Sequence, residues 1–320
     1  MQSKNIAVLM GGPSAEHEIS LETGNAVLRN LRVLGHRAWP VLIQNEREMF
    51  RGERKMDLVR AFGGADVVFV ALHGEWGEDG RIQAIFEHYD IPYTGSGPIA
   101  SAFGMDKFIS RDLFLSKHLS VPEAIAVGDS MTNREILVDA LRQLGPLPWV
   151  VKPRSRGSSV GVSVVEHEDA LVHALAIARA FDRRVIVEEY LDGPEISCGV
   201  LEYPAGYPYA LPPTLIVPPL ENGFFDYEAK YSGTTEEITP APFSGDVTRA
   251  IQQTALEAFR ALGCRHYARI DMFLRNDVPY ILELNTLPGL TPESIIPKQA
   301  RAIGFSFPSF IEHLMVLALT

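Results

Sequence analysis

Residues 269–289 read RIDMFLRNDVPYILELNTLPG. Two apolar runs flank a polar turn at Arg275-Asn276-Asp277, the pattern of a β-hairpin. Side chains alternate along a strand, so Arg269 and Asp271 share one face, and Glu283 and Asn285 share one face. A hairpin folded about Asp277 sets Asp271 opposite Glu283, and the four polar side chains converge. Asp271, Glu283 and Asn285 then offer hard oxygen ligands beside one fixed cation. Such a set suits Mg2+, with phosphate oxygens completing its octahedron. The competing reading is the solvated outer face of an ordinary hairpin.

The whole chain has 320 residues, enough for two or three domains and a large core. Hydrophobic content of 46% and charged content of 22% are those of a soluble globular protein. The net charge is −11 and the pI about 5.3, which disfavours nucleic acid or an anionic membrane surface as partner. Phosphate binding must then come from local lysines and backbone N–H groups. Cys198 and Cys264 lie far apart in no metal-binding spacing, so no disulfide framework is expected. The N-terminus has too short an apolar run for a signal peptide, and no run approaches membrane-spanning length. The expected location is cytoplasmic.

Upstream of the hairpin, residues 4–10 read as a buried strand ending in Gly11-Gly12-Pro13. Ser20 offers an N-cap for a helix that carries Gly24, Val27, Leu28 and Leu31 at helical spacing and stops at Gly35. Residues 39–43 form a second strand, and DVVFVAL at 66–72 a strand covered on both faces. Strand, glycine turn and helix repeat to about Gly97, which predicts a doubly wound α/β domain. A helix over 101–118, strands at 149–152, 160–165 and 184–188, and a helix over 169–180 follow. The last third holds strands at 196–201 and 210–217, a polar stretch at 222–239, a helix over 247–262 and a C-terminal helix from about Phe307. Glycine- and proline-rich joints near 95–98 and 192–194 mark domain boundaries, giving units 1–97, 98–187 and 188–320.

Several segments suit phosphate or amino-acid chemistry. WVVK ends a strand at Lys152, and the small-residue loop 155–159, Ser159 included, brings N–H groups and hydroxyls close to phosphate. Lys107 opens a helix, and matters only if the fold brings it to the same phosphates as Lys152. No Walker A loop occurs, and GSGPIA at 95–100 is a poor dinucleotide fingerprint because Pro98 lacks an N–H. HGEWGEDG at 73–80 follows the 66–72 strand, where α/β sheets bind ligands, and lacks the cysteine pair of a zinc deaminase. Glu16, just past the first strand, is placed to hold a ligand ammonium.

Taken in order, GGPSAEHEISLETG, ALHGEWGEDGRIQ, IPYTGSG, MDK, WVVKPRSRGSSVGV, EEYLDGPEIS, DYEAKY, ARIDMFL, LELNTLPGLT and SIIP resemble the D-alanine–D-alanine ligase family of the ATP-grasp superfamily. They run from residue 11 to about 297. The resemblance implies an α/β protein, α+β overall, with the ATP-grasp fold behind its N-terminal domain. It also implies ATP, two Mg2+ ions with Mn2+ able to replace them, a homodimer, and D-alanyl-D-alanine made for peptidoglycan and the cell wall. By the same resemblance Lys107 and Lys152 hold ATP phosphates, Lys230 reaches the γ-phosphate, and Glu188, Leu191 and Glu195 contact adenosine. Asp271, Glu283 and Asn285 hold the metal ions. Glu16 binds the first D-alanine's ammonium and joins Ser158 and Tyr231 in a hydrogen-bonded set. His73 lies near the first substrate, and Ser294 with the Ile295 backbone holds the second substrate's carboxylate. One departure is Glu189, where some relatives carry lysine.

In such a reaction the protein aligns the γ-phosphate with a carboxylate and neutralises charge. Arg269 and the Gly289 N–H are the candidate donors to the tetrahedral oxyanion. The 222–239 segment, with Tyr227, Lys230 and Tyr231, reads as a lid that excludes water. Rival readings are D-lactate as second substrate, L-amino acid ligation, and a non-catalytic nucleotide-binding module. Tyr231 after Lys230 resembles the dipeptide-forming type.

Overall fold

The computed structural model describes residues 2–45, 48–128, 134–155, 157, 160–204, 206–218 and 235–320. With elements numbered along the chain, the first sheet is built on β1 (Asn5–Gly11), an apolar run buried on both faces. It pairs in parallel with β2 (Arg37–Asn45) and β5 (Val67–Val70), as a doubly wound unit requires. Beyond β2 the sheet departs from that plan. β3 (Glu48–Arg51) and β4 (Arg54–Met56) add an antiparallel edge, giving the order β4-β3-β2-β1-β5. Helices α1 (His17–Val33), α2 (Leu58–Phe62) and α3 (Arg81–His88) complete the unit.

Ser20 is not the N-cap of α1. It lies inside the helix, fully buried, where its Oγ accepts from the Gly11 N–H at 2.8 Å and donates to the Ala71 carbonyl at 2.7 Å. That hydroxyl ties together the C-terminal ends of β1 and β5, where the loops carrying Glu16 and His73 begin.

The single helix expected over 101–118 is two helices, α4 (Pro98–Met105) and α5 (Lys107–Ser116). Asp106 separates them: its backbone is extended, and its carboxylate caps the Phe108 and Ile109 amides at 3.0 and 3.1 Å. This break sets Lys107 at the first helical position of α5. Next comes an antiparallel sheet of β6 (Ala124–Val127), β7 (Trp149–Pro153), β8 (Ser163–Val165) and β9 (Val185–Glu189), in the order β6-β9-β7-β8. Its core is shared with α6 (Arg134–Leu141) and α7 (Leu171–Arg179).

The last sheet runs β13-β12-β10-β14-β15, with β11 also on β10. These strands are β10 (Glu195–Glu202), β11 (Pro208–Ala210), β12 (Thr214–Val217), β13 (Glu236–Ile238), β14 (Tyr267–Arg275) and β15 (Val278–Asn285). β13 falls within the expected polar stretch. Helices α8 (Gly245–Ala261), α9 (Ile295–Ala302) and α10 (Phe307–Leu317) finish the chain.

Core packing cuts across the expected units. Ala100 of α4 and Phe114 of α5 share a core with Ile196, Phe259 and Ile270, so these helices belong to the last sheet rather than the central one. Phe310 and Leu314 of α10 return to the core of the first sheet. The expected boundary between 187 and 188 falls inside β9, and the chain leaves that sheet only after Glu189. Among the described residues, no helix is long and apolar enough to cross a membrane.

Candidate active site

The β14–β15 hairpin forms with Asp271 opposite Glu283 and Arg269 opposite Asn285, as the alternation predicts. The route to that register is different. The turn holds two residues, Asn276 and Asp277, both left-handed (φ 52° and 64°), as a tight hairpin turn requires. Arg275 then pairs with Val278 and Met272 with Ile281, which by regular continuation would set Leu282 against Asp271. A bulge beside Asp271 absorbs the extra residue. Leu282 and Glu283 therefore both line the cavity face, while Ile281 and Leu284 stay in the core.

Asp271 is buried, and each of its oxygens accepts two hydrogen bonds. Oδ1 takes Arg269 Nε at 2.8 Å and Ser197 Oγ at 2.5 Å; Oδ2 takes Arg269 Nη2 at 2.7 Å and Asn285 Nδ2 at 2.9 Å. A carboxylate has about four lone-pair sites, so a metal ion reaching Asp271 displaces one of these donors. Burial works against the Arg269 charge, but the Asp271, Glu283 and Glu78 carboxylates together outweigh it and raise the guanidinium's pKa. Two carboxylates and one amide on a single face fit a hard divalent cation with oxygen ligands.

Against the polar face of the hairpin lies a cavity of about 280 Å³ lined by Lys107, Lys152, Glu188, Leu191, Glu195 and Glu283. The two lysines are thus brought to one cleft, which gives Lys107 its significance. Lys107 Nζ lies 3.0 Å from Glu283 Oε2, and Lys152 Nζ lies 2.6 Å from Glu188 Oε2. Glu188, expected at adenosine, lines this cleft and pairs with Lys152. Glu189 is held by the Glu123 N–H at 3.0 Å and Arg275 Nη1 at 2.9 Å, which accounts for an acidic residue at that position.

Adjoining that cleft along the same face is a cavity of about 250 Å³ that also reaches Glu195, Asp271 and Glu283. Glu16, His73, Arg269, Asn285, Gly289, Ser294 and Ile295 line it. Glu16 arrives from the β1–α1 loop and His73 from the end of β5. His73 Nδ1 donates to the Leu287 carbonyl at 2.8 Å, and Thr23 Oγ1 stands 3.0 Å from Nε2. Burial lowers the His73 pKa, which keeps the ring neutral. Ser294 stands at the N-cap position of α9, but its Oγ accepts from the Thr291 N–H at 3.0 Å rather than from a helix amide. The Ile295 N–H is one of the first four of that helix, which lack intrahelical partners and suit a carboxylate.

Two residues here were not singled out as site residues. Glu78 lines the second cavity, and burial first and the Glu16 charge second push its carboxyl well above the usual range. The glycines around it in HGEWGEDG were the available signal. Ser197 pairs directly with Asp271 across β10 and β14, and it shares a strand face with Glu195. Ser158, Ser159, Lys230 and Tyr231, with most of the expected lid, lie outside the described residues.

A family model described as D-ala D-ala ligase C-terminus matches residues 117–316, and one described as D-ala D-ala ligase N-terminus matches 49–96. The chain belongs to the D-alanine–D-alanine ligase family. It is 40% identical over 319 residues to the D-alanine–D-alanine ligase of Desulforudis audaxviator, covering 98% of each chain. It is also 40% identical to that of Geotalea uraniireducens, covering 99% of this chain and 96% of the relative. Among solved structures, the ligase of Bacillus anthracis complexed with ATP superposes with a TM-score of 0.83 at 31% identity, covering 99% of this chain and 98% of that one. The VanG D-Ala:D-Ser ligase of Enterococcus faecalis gives 0.85 at 30% identity, covering 99% of this chain and all of its own. The ATP-grasp architecture expected from the sequence is the architecture found.

Proposed function

We propose that this chain joins two D-alanines into D-alanyl-D-alanine with ATP, through an acyl phosphate, and so supplies a peptidoglycan precursor. The observation that carries this reading is the hairpin itself. Arg269, Asp271, Glu283 and Asn285 stand between a cleft holding two lysines and a cavity holding Glu16, Ser294 and Ile295.

A carboxylate is a poor electrophile because its leaving group is oxide. Phosphorylation of the first D-alanine gives it a good one. Lys107 and Lys152 hold the phosphates in line with that carboxylate, with Glu188, Leu191 and Glu195 at the nucleoside end. Asp271, Glu283 and Asn285 would hold two Mg2+ ions, replaceable by Mn2+, which would supply the remaining charge neutralisation at the transferring phosphoryl group. Glu16 takes the first ammonium, and neutral His73 braces the Leu287 carbonyl beneath it. Ser294 and the Ile295 N–H hold the second carboxylate, so that its amine faces the acyl carbon. Arg269 and the Gly289 N–H receive the oxyanion. Lys230, with Ser158, Ser159 and Tyr231 closing the site, enters on resemblance alone, as do the homodimer and the cytoplasm.

The test is oxygen tracing. With D-alanine labelled by ¹⁸O in its carboxylate, each turnover transfers one labelled oxygen to inorganic phosphate. Phosphate free of label would exclude the acyl phosphate.

A further inference from the structure

The first unit carries Glu16 and His73, whereas the last sheet carries Arg269 and Asp271. Chemistry between them needs a fixed register across the junction. The apolar core spanning it, with Leu287, Leu290 and Phe310 against β1 and β5, holds the units together but is non-directional. A directional contact lies at Arg265-His266, the two residues before β14.

His266 has φ 63°, the left-handed region that costs an L-residue energy outside glycine. It is buried, and its backbone N–H donates to Glu202 Oε2 at 2.6 Å. In this conformation its Nδ1 accepts the Gly95 N–H at 3.1 Å. The neighbouring Arg265 donates from Nε to the Gly95 carbonyl at 3.1 Å. Both polar backbone groups of one residue in the first unit are therefore held by consecutive side chains of the last.

Gly95 has no room to slip. Its φ is 97°, and a Cβ there would lie 2.8 Å from Leu287 Cδ2. Leu287 is the residue whose carbonyl takes His73 Nδ1. The segment around Gly95 is itself anchored to β5, since the Thr94 N–H donates to the Val68 carbonyl at 3.0 Å and Thr94 Oγ1 accepts from the Val70 N–H at 2.9 Å. The Arg265 guanidinium also lies 4.7 Å over the Tyr93 ring and 3.3 Å from Glu87.

We propose that Arg265 and His266 clamp Gly95 and thereby fix the register between the Glu16–His73 loops and the Arg269–Asp271 hairpin, His266 being a positioning residue for the first amino-acid substrate. This rests on the ligase reading above. Strained backbone at His266 is the cost of aiming an acceptor at the Gly95 amide across the junction.

His266→Gly is the clean variant, because it relieves the left-handed strain while deleting the acceptor. Three readouts are compared with the parent chain: hydrogen exchange of the 93–97 peptide, affinity for Mg-ATP by calorimetry, and kcat/KM for D-alanine. The expected result is at least tenfold faster exchange, unchanged Mg-ATP affinity, and at least a tenfold loss in kcat/KM for D-alanine. His266→Asn, which tolerates the left-handed backbone and keeps an acceptor, is expected to restore part of both. Unchanged exchange, or faster exchange with kcat/KM within twofold of the parent, would overturn the proposal. Loss of Mg-ATP affinity in step with kcat/KM would do the same, since it marks general damage. Inactivity of the parent chain on D-alanine overturns the ligase reading and the positioning role with it, while the exchange data still decide whether the clamp exists.

Discussion

Replacing Lys152 by methionine tests how the ATP-side cleft is held together. Lys152 Nζ and Glu188 Oε2 are 2.6 Å apart, with side-chain exposures of 9% and 7%. At an effective dielectric near 20, their attraction is about 6 kcal/mol, and desolvation of the two ions offsets most of it. Removing one partner forfeits the attraction and leaves the other charge buried, which costs about 3–5 kcal/mol. Trp149 is buried in β7, three residues from Lys152, and reports on the central sheet. With Trp39 and Trp76 changed to phenylalanine, its fluorescence follows urea unfolding as reported from that sheet. Lys152→Met is expected to lower its stability by about 3–5 kcal/mol, and Lys152→Met with Glu188→Met to recover most of that loss. A single-variant cost below about 1 kcal/mol, or a double variant costing the sum of the singles, would refute the assignment of a tightly coupled buried pair.

Arg269→Ala is expected to lower turnover by roughly 10²–10³, the usual cost of one oxyanion donor. Unchanged turnover in a steady-state assay would remove that role. Acid sensitivity follows from the buried histidines. Burial lowers the pKa of His73, and burial with the Arg265 charge brings His266 to about 3, against 6.5 when unfolded. Their stabilisation is complete above pH 6.5 and is lost as pH falls, because the unfolded chain takes up protons that the folded chain refuses. At pH 5 His266 alone accounts for about 2 kcal/mol of that loss. Urea unfolding between pH 7 and 5 is expected to show a shallower pH slope for His266→Gly than for the parent, and equal slopes would contradict a neutral buried ring.

The hairpin was legible because strand alternation and a polar turn are local signals, and four polar side chains on one face left few alternatives. The bulge beside Asp271 was not, since it follows from a two-residue turn whose left-handed residues sequence alone did not single out. Lys107 at a helix start was legible, whereas the break at Asp106 depends on a cap competing with an otherwise continuous helical pattern. Ser20 looked like a cap because its residue type favours one, but burial gave it a different pair of partners. The Arg265-His266 contact with Gly95 is long-range and involves a glycine's backbone, so no periodicity announces it.

The central claim is most directly tested by ADP release with Mg-ATP and, separately, D-alanine, L-alanine, D-alanine plus D-lactate, and D-alanine plus D-serine. The account predicts release with D-alanine alone and D-alanyl-D-alanine as the product. Release only when D-lactate, D-serine or an L-amino acid is present, or none with any of them, would contradict it.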